Sequence, residues 1–436
     1  MKARVKNLLI IIGVQTAITL VIPLTVFAKS PIWAPGPLAH IIEEGLANNQ
    51  SIKSLESQID ALKEQVPLAG SLPDPRLGIA LINLPVDSLR FDEEPMTQKQ
   101  ISIAQKFPWF GKLDLQSTKA TLAVKQKEMI LNAERLLLSK KIANAYYELG
   151  FVTKSQEINT RLTQMLQRIL RAAESRYVTG KGLQQSIFQA QVELSKLSEE
   201  SITLRKKRRV IEDRLNELLN RELFESIIPP KNLPPPYFTL SIPELKTFVL
   251  KNNPRLKAKK YEILIAHAGI ELARKDYWPD MDIKVSYGQR EENRAGQNWD
   301  DFVSTGITMN IPLWQKTRQD KKLAAATASH RSKKQLYNNL EDSLNHKVDA
   351  AATEILDLQE NFLLYNDALI PQTKQWARAA LDAYEVGRVE FDTMIKAQIQ
   401  LLKFELQAQR YLFNIYQKRA DLEEMIGQPL AEEQGD

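Results

Sequence analysis

Paired acidic side chains are the residues of this chain that come closest to a catalytic arrangement. Two carboxyl groups that share one site can act as general acid and general base, and adjacent glutamate pairs occur. Four of them are Glu93-Glu94, Glu199-Glu200, Glu291-Glu292 and Glu423-Glu424. On a helix, adjacent side chains diverge by about 100° and do not meet. The sequence has no nucleophile elbow or phosphate loop, so it predicts no catalytic residue, no cofactor and no enzyme activity.

Residue types that bind metals are sparse and dispersed. The chain has no cysteine, and its four histidines lie at positions 40, 267, 330 and 346. The lack of cysteine excludes disulfides and thiolate metal sites, and the histidines do not form a local motif. The sequence therefore predicts no metal site.

The densest charge is the basic run Arg205–Arg209. Lys+Arg exceed Asp+Glu by only 59 − 53 = 6. Five successive residues on a helix surround its axis and cannot form one flat basic face, and Glu212 and Asp213 follow closely. We interpret the run as a solvated helix surface, so nucleic-acid binding is not predicted.

Residues 1–28 have the pattern of a secretory signal peptide. Lys2, Arg4 and Lys6 precede an apolar stretch from Leu8 to Leu24, and Val26-Phe-Ala28 supplies a small residue at a cleavage position. The alternative is an uncleaved anchor, because a bilayer-spanning helix needs about 20 apolar residues. No other apolar run is that long, so the chain is predicted to be exported and not to be a helical membrane protein.

Internal repetition organises the rest of the chain. Four short marks recur in order at offsets of 204 to 207 residues, which argues against chance. They pair Ser71-Leu-Pro-Asp74 with Tyr277-Trp-Pro-Asp280, Phe107-Pro-Trp-Phe110 with Ile311-Pro-Leu-Trp314, Tyr177-Val-Thr-Gly180 with Tyr384-Glu-Val-Gly387, and Phe188-Gln-Ala-Gln191 with Ile395-Lys-Ala-Gln398. We predict repeat units over 38–228 and 243–427, a proline-rich connector over 229–242 that cannot continue a helix, and a tail over 428–436.

Each unit is predicted to contain a helix, two strands and a long helical hairpin. The first helices cover about 38–66 and about 243–276, and period-two alternation indicates strands. The predicted strands are 76–83, 98–105, 282–289 and 302–310.

The long hairpins follow the strands. Residues 112–179 contain no proline and one glycine, which predicts a rod on the order of 100 Å long. A seam recurs every seven residues, as in a coiled coil: Leu131, Leu138, Ala145, Val152, Asn159, Leu166 and Ala173. The chain is predicted to turn at Gly180-Lys-Gly182 and to return over 183–228. The second hairpin descends from residue 316 with a kink at Pro371, turns at Gly387 and returns over 388–426.

The strands predict a membrane barrel shared between chains. They have the length of a tilted membrane strand, about 9–11 residues. Four strands cannot close a barrel, and open edges are not tolerated in lipid, so three copies would supply 3 × 4 = 12 strands. Aromatic residues flank the strands on the helix side, where an interfacial girdle would contact outer-membrane lipid; the alternative is an aromatic cluster that caps a soluble core. They are Trp109, Phe110, Trp278 and Trp314.

Nearly the whole chain, from about residue 40 to 427, resembles the TolC family of outer-membrane efflux factors. The two Tyr-x-x-Gly turns, each followed by an Ala-Gln step, and the Pro-Asp and Phe-Pro marks carry the resemblance. Pro73-Asp-Pro75, Asn83-Leu-Pro85 and the segment 105–112 resemble its heavy-metal (CzcC/CusC-like) branch. The family implies a mainly α fold with a small β part. In that fold a trimeric twelve-stranded transmembrane β-barrel continues into a long periplasmic α-helical barrel.

The resemblance also implies a place and partners. A homotrimer would lie in the outer membrane of a Gram-negative bacterium and extend into the periplasm. It would act as the passive exit duct of a tripartite efflux system, with a periplasmic adaptor protein and an inner-membrane pump of the RND type. Heavy-metal ions are the cargo that the branch implies.

Two sets of residues near the hairpin ends are the predicted functional sites. The adaptor-docking tip comprises Tyr177, Gly180, Lys181, Tyr384, Gly387 and Arg388. The periplasmic gate, placed by matching the family turn, comprises Ser186, Gln189, Asp392, Thr393 and Lys396. Thr393 and Lys396 fall where TolC carries an acidic pair, and Asp392 is one step off. A ring of three Lys396 would favour anions; the alternative is that Lys396 points between helices and pairs with a carboxylate.

Two other classes of exported protein share long helical hairpins. A periplasmic adaptor would carry lipoyl-like β segments around a single hairpin, whereas this chain has two hairpins and membrane-type strands. A periplasmic coiled-coil scaffold would remain in the soluble fraction without detergent.

Overall fold

The computed structural model describes residues 32, 34, 36–222, 225–230, 233–234 and 241–430. The predicted signal peptide, most of the connector and residues 431–436 of the tail lie outside the described residues. Within those ranges, no helix is both long and apolar enough to span a membrane.

Each repeat unit opens with two helices, where the sequence analysis predicted one. The first pair is α1 (Gly36–Asn48) and α2 (Gln50–Gly70), and the second is α5 (Ile242–Asn252) and α6 (Pro254–Lys275). An asparagine separates the helices of each pair and caps the second one. The Asn49 Oδ1 atom accepts from the Ser51 N–H at 2.9 Å, and the Asn253 Oδ1 atom accepts from the Leu256 N–H at 3.0 Å. The prediction of single helices was therefore wrong, because a side-chain cap starts a new helix in each unit.

The four predicted strands form one antiparallel sheet in the order β1-β2-β3-β4. They are β1 (Arg76–Ile82), β2 (Gln98–Phe107), β3 (Met281–Gln289) and β4 (Phe302–Met309). The register opposes Ile79 with Ile101, Ile101 with Tyr287, and Tyr287 with Val303. Strands of both repeat units therefore join in one sheet, and their odd-numbered residues share one face.

That face of the sheet is apolar and open to the surroundings. Eleven of its large apolar side chains are exposed: Leu77, Ile79, Leu81, Ile101, Ile103, Ile283, Val285, Tyr287, Val303, Ile307 and Met309. The opposite face carries small and polar residues such as Ser102, Lys284 and Ser304. Among the described strands, β1 and β4 each pair on one side only.

The first long hairpin consists of α3 (Lys112–Val178) and α4 (Gln184–Leu219). Six of the seven predicted seam residues of α3 are buried, and the seventh, Asn159, is half-buried and donates to the Leu197 carbonyl at 3.2 Å. α4 ends nine residues earlier than predicted. Asn220 adopts a left-handed conformation (φ 55°), and the Arg221 N–H donates to the Asn216 carbonyl at 2.9 Å, a backbone arrangement that stops a helix.

The second long hairpin contains a π-helical segment. Its descending arm is α7 (Gln319–Leu363), the π segment Leu364–Leu369 and α8 (Ile370–Glu385), and α9 (Phe391–Ile426) returns. Pro371 lies at the start of α8. Because proline lacks an N–H and clashes with the preceding turn of an α-helix, the predicted interruption takes the form of a wider π turn just before it.

The largest buried core lies midway along the rod, where the first helices of both units pack on the long hairpins. Tyr146, Tyr147 and Tyr416 are buried in it, and the Tyr416 hydroxyl donates to the Pro234 carbonyl at 2.8 Å. A smaller cluster around Leu166 and Met394 lies towards the hairpin ends. The core therefore holds the two hairpins side by side down to their tips.

Candidate functional site

The two hairpins end in the same backbone turn. At the end of α3, the Lys181 N–H donates to the Arg176 carbonyl (2.8 Å) and the Gly180 N–H to the Tyr177 carbonyl (2.9 Å). At the end of α8, the Arg388 N–H donates to the Ala383 carbonyl (2.8 Å) and the Gly387 N–H to the Tyr384 carbonyl (3.0 Å). Both glycines have positive φ, 73° and 76°. These are Schellman turns, and they require the left-handed conformation that glycine adopts most easily.

Five of the six predicted docking-tip residues are exposed. The side chains of Lys181 and Arg388 extend from the equivalent position of the two turns, next to the exposed Val178 and Val386. The end of the rod therefore presents two cations beside apolar side chains. Tyr384 is half-buried, with its ring in edge contact with Phe391 at 5.8 Å between centroids.

An arginine that the sequence analysis missed joins the two tips. The Arg176 Nη1 atom donates to the Tyr384 carbonyl at 2.6 Å, and its guanidinium lies 4.8 Å from the centre of the Tyr384 ring. Burial raises the pKa of the Tyr384 hydroxyl, and the charge of Arg176 partly opposes that shift. The residue that matches Arg176 in the second repeat is Ala383. The sequence signal for this contact is therefore the difference at this position: the first repeat has a charged residue where the second repeat has a small one.

The predicted gate residues lie within the first turns of α4 and α9, and three of them interact. Lys396 forms an ion pair with Asp392, one helical turn away on α9. The Asp392 Oδ1 atom also accepts from the Gln189 amide at 2.9 Å, which links α9 to α4. The hydrogen bond from Lys396, followed by that from Gln189, lowers the pKa of the Asp392 carboxyl. Ser186 is half-buried and Thr393 is exposed.

The predicted membrane-interface aromatics lie where the sheet meets the helices. The indole rings of Trp109 and Trp278, one from each repeat unit, stack at 5.0 Å with their planes 8° apart. Phe110 makes an edge contact with Trp109 at 5.6 Å. Phe110, Trp278 and Trp314 are exposed, so this junction offers aromatic surface directly beside the apolar face of the sheet.

A charged network lies under the stacked indoles and joins the two repeat units. The buried Lys112 ammonium contacts Asp280 at 2.8 Å and Asp276 at 3.1 Å, and the Trp109 N–H donates to Asp280 at 2.9 Å. Burial alone would raise the pKa of both aspartates. The bonds from Lys322 and Lys112 to Asp276, and from Lys112 and the Trp109 N–H to Asp280, outweigh burial and lower both pKa values. The sequence analysis identified the Pro-Asp mark that contains Asp280, but it did not identify Lys112 as the ion-pair partner of this aspartate.

Within the described ranges, no three or more histidine, aspartate or glutamate side chains converge in a way that could hold a metal ion. The functions predicted for the tips and for the residues next to them, docking and narrowing, need no such cluster.

Comparisons with known proteins agree with this organisation. The model of the family described as outer membrane efflux protein matches residues 41–221 and 248–428, which are the two repeat units. The cobalt-zinc-cadmium resistance protein CzcC of Cupriavidus metallidurans is 21% identical over 185 residues. That alignment covers 42% of this chain and 43% of CzcC, so it spans less than half of the relative.

Solved structures share the fold. The outer membrane protein VceC of Vibrio cholerae superposes with a TM-score of 0.75 at 19% identity, covering 90% of this chain and 96% of VceC. CusC superposes with a TM-score of 0.74 at 14% identity, covering 92% of this chain and 96% of CusC. These matches favour the channel hypothesis over the adaptor hypothesis. With two matched repeats, one shared sheet and two long hairpins, the chain belongs to the outer membrane efflux protein family.

Proposed function

We propose that three copies of this chain form the passive outer-membrane exit duct of a tripartite efflux system, and that the duct carries heavy-metal cations. In this proposal the sheets of the three copies close a barrel in the outer membrane, and the hairpins form a tube through the periplasm. The energy for transport comes from an inner-membrane pump, of the RND type, through a periplasmic adaptor.

The observation that carries the proposal is the exposed apolar face of the sheet. An exposed apolar patch of this extent is unusual for a soluble surface, and its alternation with a polar face is typical of barrel strands that face lipid on one side and a lumen on the other. The edges of β1 and β4 would leave unpaired backbone groups in lipid, and pairing with neighbouring copies satisfies them. The aromatic junction then lies at the periplasmic interface.

The tips supply the adaptor contact in this proposal. Lys181 and Arg388 occupy equivalent positions on two identical turns, so three chains would present six cations in a ring at the end of the tube. The valines beside them, Val178 and Val386, add exposed apolar surface. A partner with acidic groups around small apolar pockets fits this surface.

The gate lies one to three helical turns above the tips. Asp392 neutralises Lys396 and also binds Gln189 on α4, so it couples the helix that carries the lysine to the other hairpin. Three such groups around the axis would form the narrowest ring, with charge close to balance. Opening would separate α9 from α4 and break the Gln189 contact.

Metal cations are proposed as cargo because of two likenesses. CzcC is named for cobalt, zinc and cadmium resistance, and the segments 73–75, 83–85 and 105–112 resemble the same branch. A passive duct needs no permanent metal site, so the cargo is tested by transport.

The test is deletion of the gene in its native host, followed by growth on graded Co²⁺, Zn²⁺ and Cd²⁺ and on uncharged toxic organic compounds. Loss of tolerance to the metals, restored by the wild-type gene, supports a metal duct. Unchanged metal tolerance combined with lost tolerance to the organic compounds would overturn the cargo and retain the duct. If a gene for a chain shortened at both hairpin tips restored tolerance to the deletion strain, the proposed duct itself would be overturned.

A further inference from the structure

Two histidines that are far apart in sequence become neighbours in the fold. His267 on α6 and His330 on α7 have ring centroids 5.9 Å apart, with the ring planes at 66°. The two helices pack side by side. His267 is exposed and His330 is half-buried, so both rings lie at a surface seam that ions can reach.

The geometry suits shared coordination of one metal ion. Neutral imidazole nitrogen is a preferred ligand of Zn²⁺, Cu²⁺ and Ni²⁺. With metal–nitrogen distances of about 2.0–2.1 Å, an ion bound by one nitrogen of each ring places the ring centroids about 5–6 Å apart. The observed spacing therefore needs little more than rotation of the two side chains about their own bonds.

We propose that His267 and His330 form a two-imidazole site for a divalent transition-metal ion, with water completing the coordination. The described residues offer no third histidine or carboxylate to the pair, so binding is expected to be reversible. The ammonium of Lys333, one turn from His330, is neutralised by Glu262 at 3.0 Å. This pairing reduces the positive field that would otherwise repel a cation.

The position of the pair gives the bound ion a structural consequence. His267 and His330 lie 8 residues before the end of α6 and 11 residues after the start of α7, or roughly 12–17 Å along the helices. A metal ion there would link two helices just below the sheet. The metal ion binds to side chains of α6 and α7, so this proposal does not depend on which cargo the duct carries.

The test is Cu²⁺ titration of the detergent-purified full-length assembly, prepared without a polyhistidine tag, with affinity and electron paramagnetic resonance spectra measured together. Wild type is expected to bind one Cu²⁺ per chain at this site with two imidazole nitrogens. His267→Gln and His330→Gln should each weaken that binding by about tenfold or more, because a second tethered ligand acts at high effective concentration. Each variant should also leave a one-imidazole spectrum.

His346→Gln is the matched control, since His346 is an exposed histidine on the same helix; its spectrum and affinity should equal those of wild type. Equal Cu²⁺ affinity in wild type and both pair variants, or a one-imidazole spectrum in wild type, would overturn the site. Size-exclusion profiles of the variants exclude misfolding as the cause of a loss. A separate measurement of metal efflux by the wild-type protein keeps the two proposals apart. If the wild type binds Cu²⁺ at the histidine pair but exports no metal, only the proposed cargo is overturned.

Discussion

The guanidinium of Arg176 donates to the carbonyl oxygen of Tyr384 at 2.6 Å and covers its ring at 4.8 Å. The two residues lie in different repeat units, and the carbonyl of each accepts a hydrogen bond of the Schellman turn that ends its helix. A single side chain therefore binds the end of one hairpin to the end of the other. Because this carbonyl also accepts the Gly387 N–H, the arginine adds a second, charged donor to a helix-terminal acceptor.

Arg176→Gln is expected to loosen the tips without unfolding the chain. A hydrogen bond from a charged donor contributes about 1.5–3 kcal/mol, and each 1.4 kcal/mol corresponds to about tenfold in an equilibrium. The open probability of single channels in planar bilayers should therefore rise by about tenfold or more. Arg171→Gln, an exposed arginine on the same helix, serves as the control. Identical gating of Arg176→Gln and wild type would show that the contact does not restrain the tips.

Reversing the tip charges is expected to separate insertion from export. Lys181→Glu combined with Arg388→Glu leaves every described core and sheet contact in place, so trimers should still reach the outer membrane. Efflux and cross-linking to the adaptor should fall to background, because like charges replace attraction at the docking surface. Lys206→Glu with Arg209→Glu changes the charge equally on the exposed face of α4, roughly 35–40 Å from the tip, and should retain efflux. If the tip variant kept both adaptor cross-linking and efflux, docking would not depend on these cations.

Trimer formation through the sheet edges can be tested because the chain contains no cysteine. Ala80→Cys on β1 and Ser304→Cys on β4 place thiols on the two edge strands and on the same face of the sheet. A short bifunctional cross-linker should convert the double variant to dimers and trimers on denaturing gels. Either single variant should not form trimers. A stable monomer in mild detergent, with strands intact by circular dichroism, would contradict the shared barrel.

The sequence was sufficient for the architecture because its signals were local and repeated. Seven-residue spacing along α3, period-two alternation in the strands and the Tyr-x-x-Gly marks each report one element. The strands and the Tyr-x-x-Gly marks are matched 204–207 residues later. Helix boundaries at Asn49, Asn220 and Asn253 were missed, because an asparagine cap depends on side-chain hydrogen bonds or on a left-handed backbone that composition does not show. Three tertiary contacts were also missed. Arg176 with Tyr384 and Lys112 with Asp280 join the two repeats, and His267 with His330 joins two helices of the second repeat. All three depend on packing between elements, which single-chain periodicity does not specify.

The charge of the gate is expected to depend on Asp392 as much as on Lys396. With the ion pair intact, the ring of three pairs is close to neutral, so wild-type channels should be weakly selective in a salt gradient. Asp392→Asn leaves three unpaired lysines, and Lys396→Asp leaves only carboxylates. The reversal potential should shift to the value of an anion-selective channel in Asp392→Asn and to that of a cation-selective channel in Lys396→Asp. Divalent ions should also block the Lys396→Asp channel from the periplasmic side.

The double variant Asp392→Asn with Lys396→Gln removes both charges and is the matched control; it should return the reversal potential to the wild-type value. Because the pKa of Asp392 is lowered, the pair should persist below the usual aspartate range and be lost only as the pH falls through that lowered value. Equal reversal potentials for wild type and Lys396→Asp would show that the residue does not face the lumen.

The Lys112 network at the sheet–helix junction is expected to set the acid stability of that region. The pKa values of Asp276 and Asp280 are lower in the folded protein than in the unfolded chain. Their contribution to the free energy of unfolding is therefore present above the ordinary aspartate pKa of about 3.9 and is lost as the pH falls through the folded values.

Lys112→Met leaves both carboxylates without their buried partner, which should cost about 1–3 kcal/mol and move the acid unfolding midpoint to higher pH. Tryptophan fluorescence measures this midpoint directly, because the indole of Trp109 stacks on that of Trp278 and the backbone N–H of Trp109 donates to Asp280. Lys63→Met removes an exposed ion pair with Asp60 on α2 and should leave the midpoint unchanged, as exposed pairs contribute little. An unshifted midpoint in Lys112→Met would mean that the network adds no stability to the junction between the repeats.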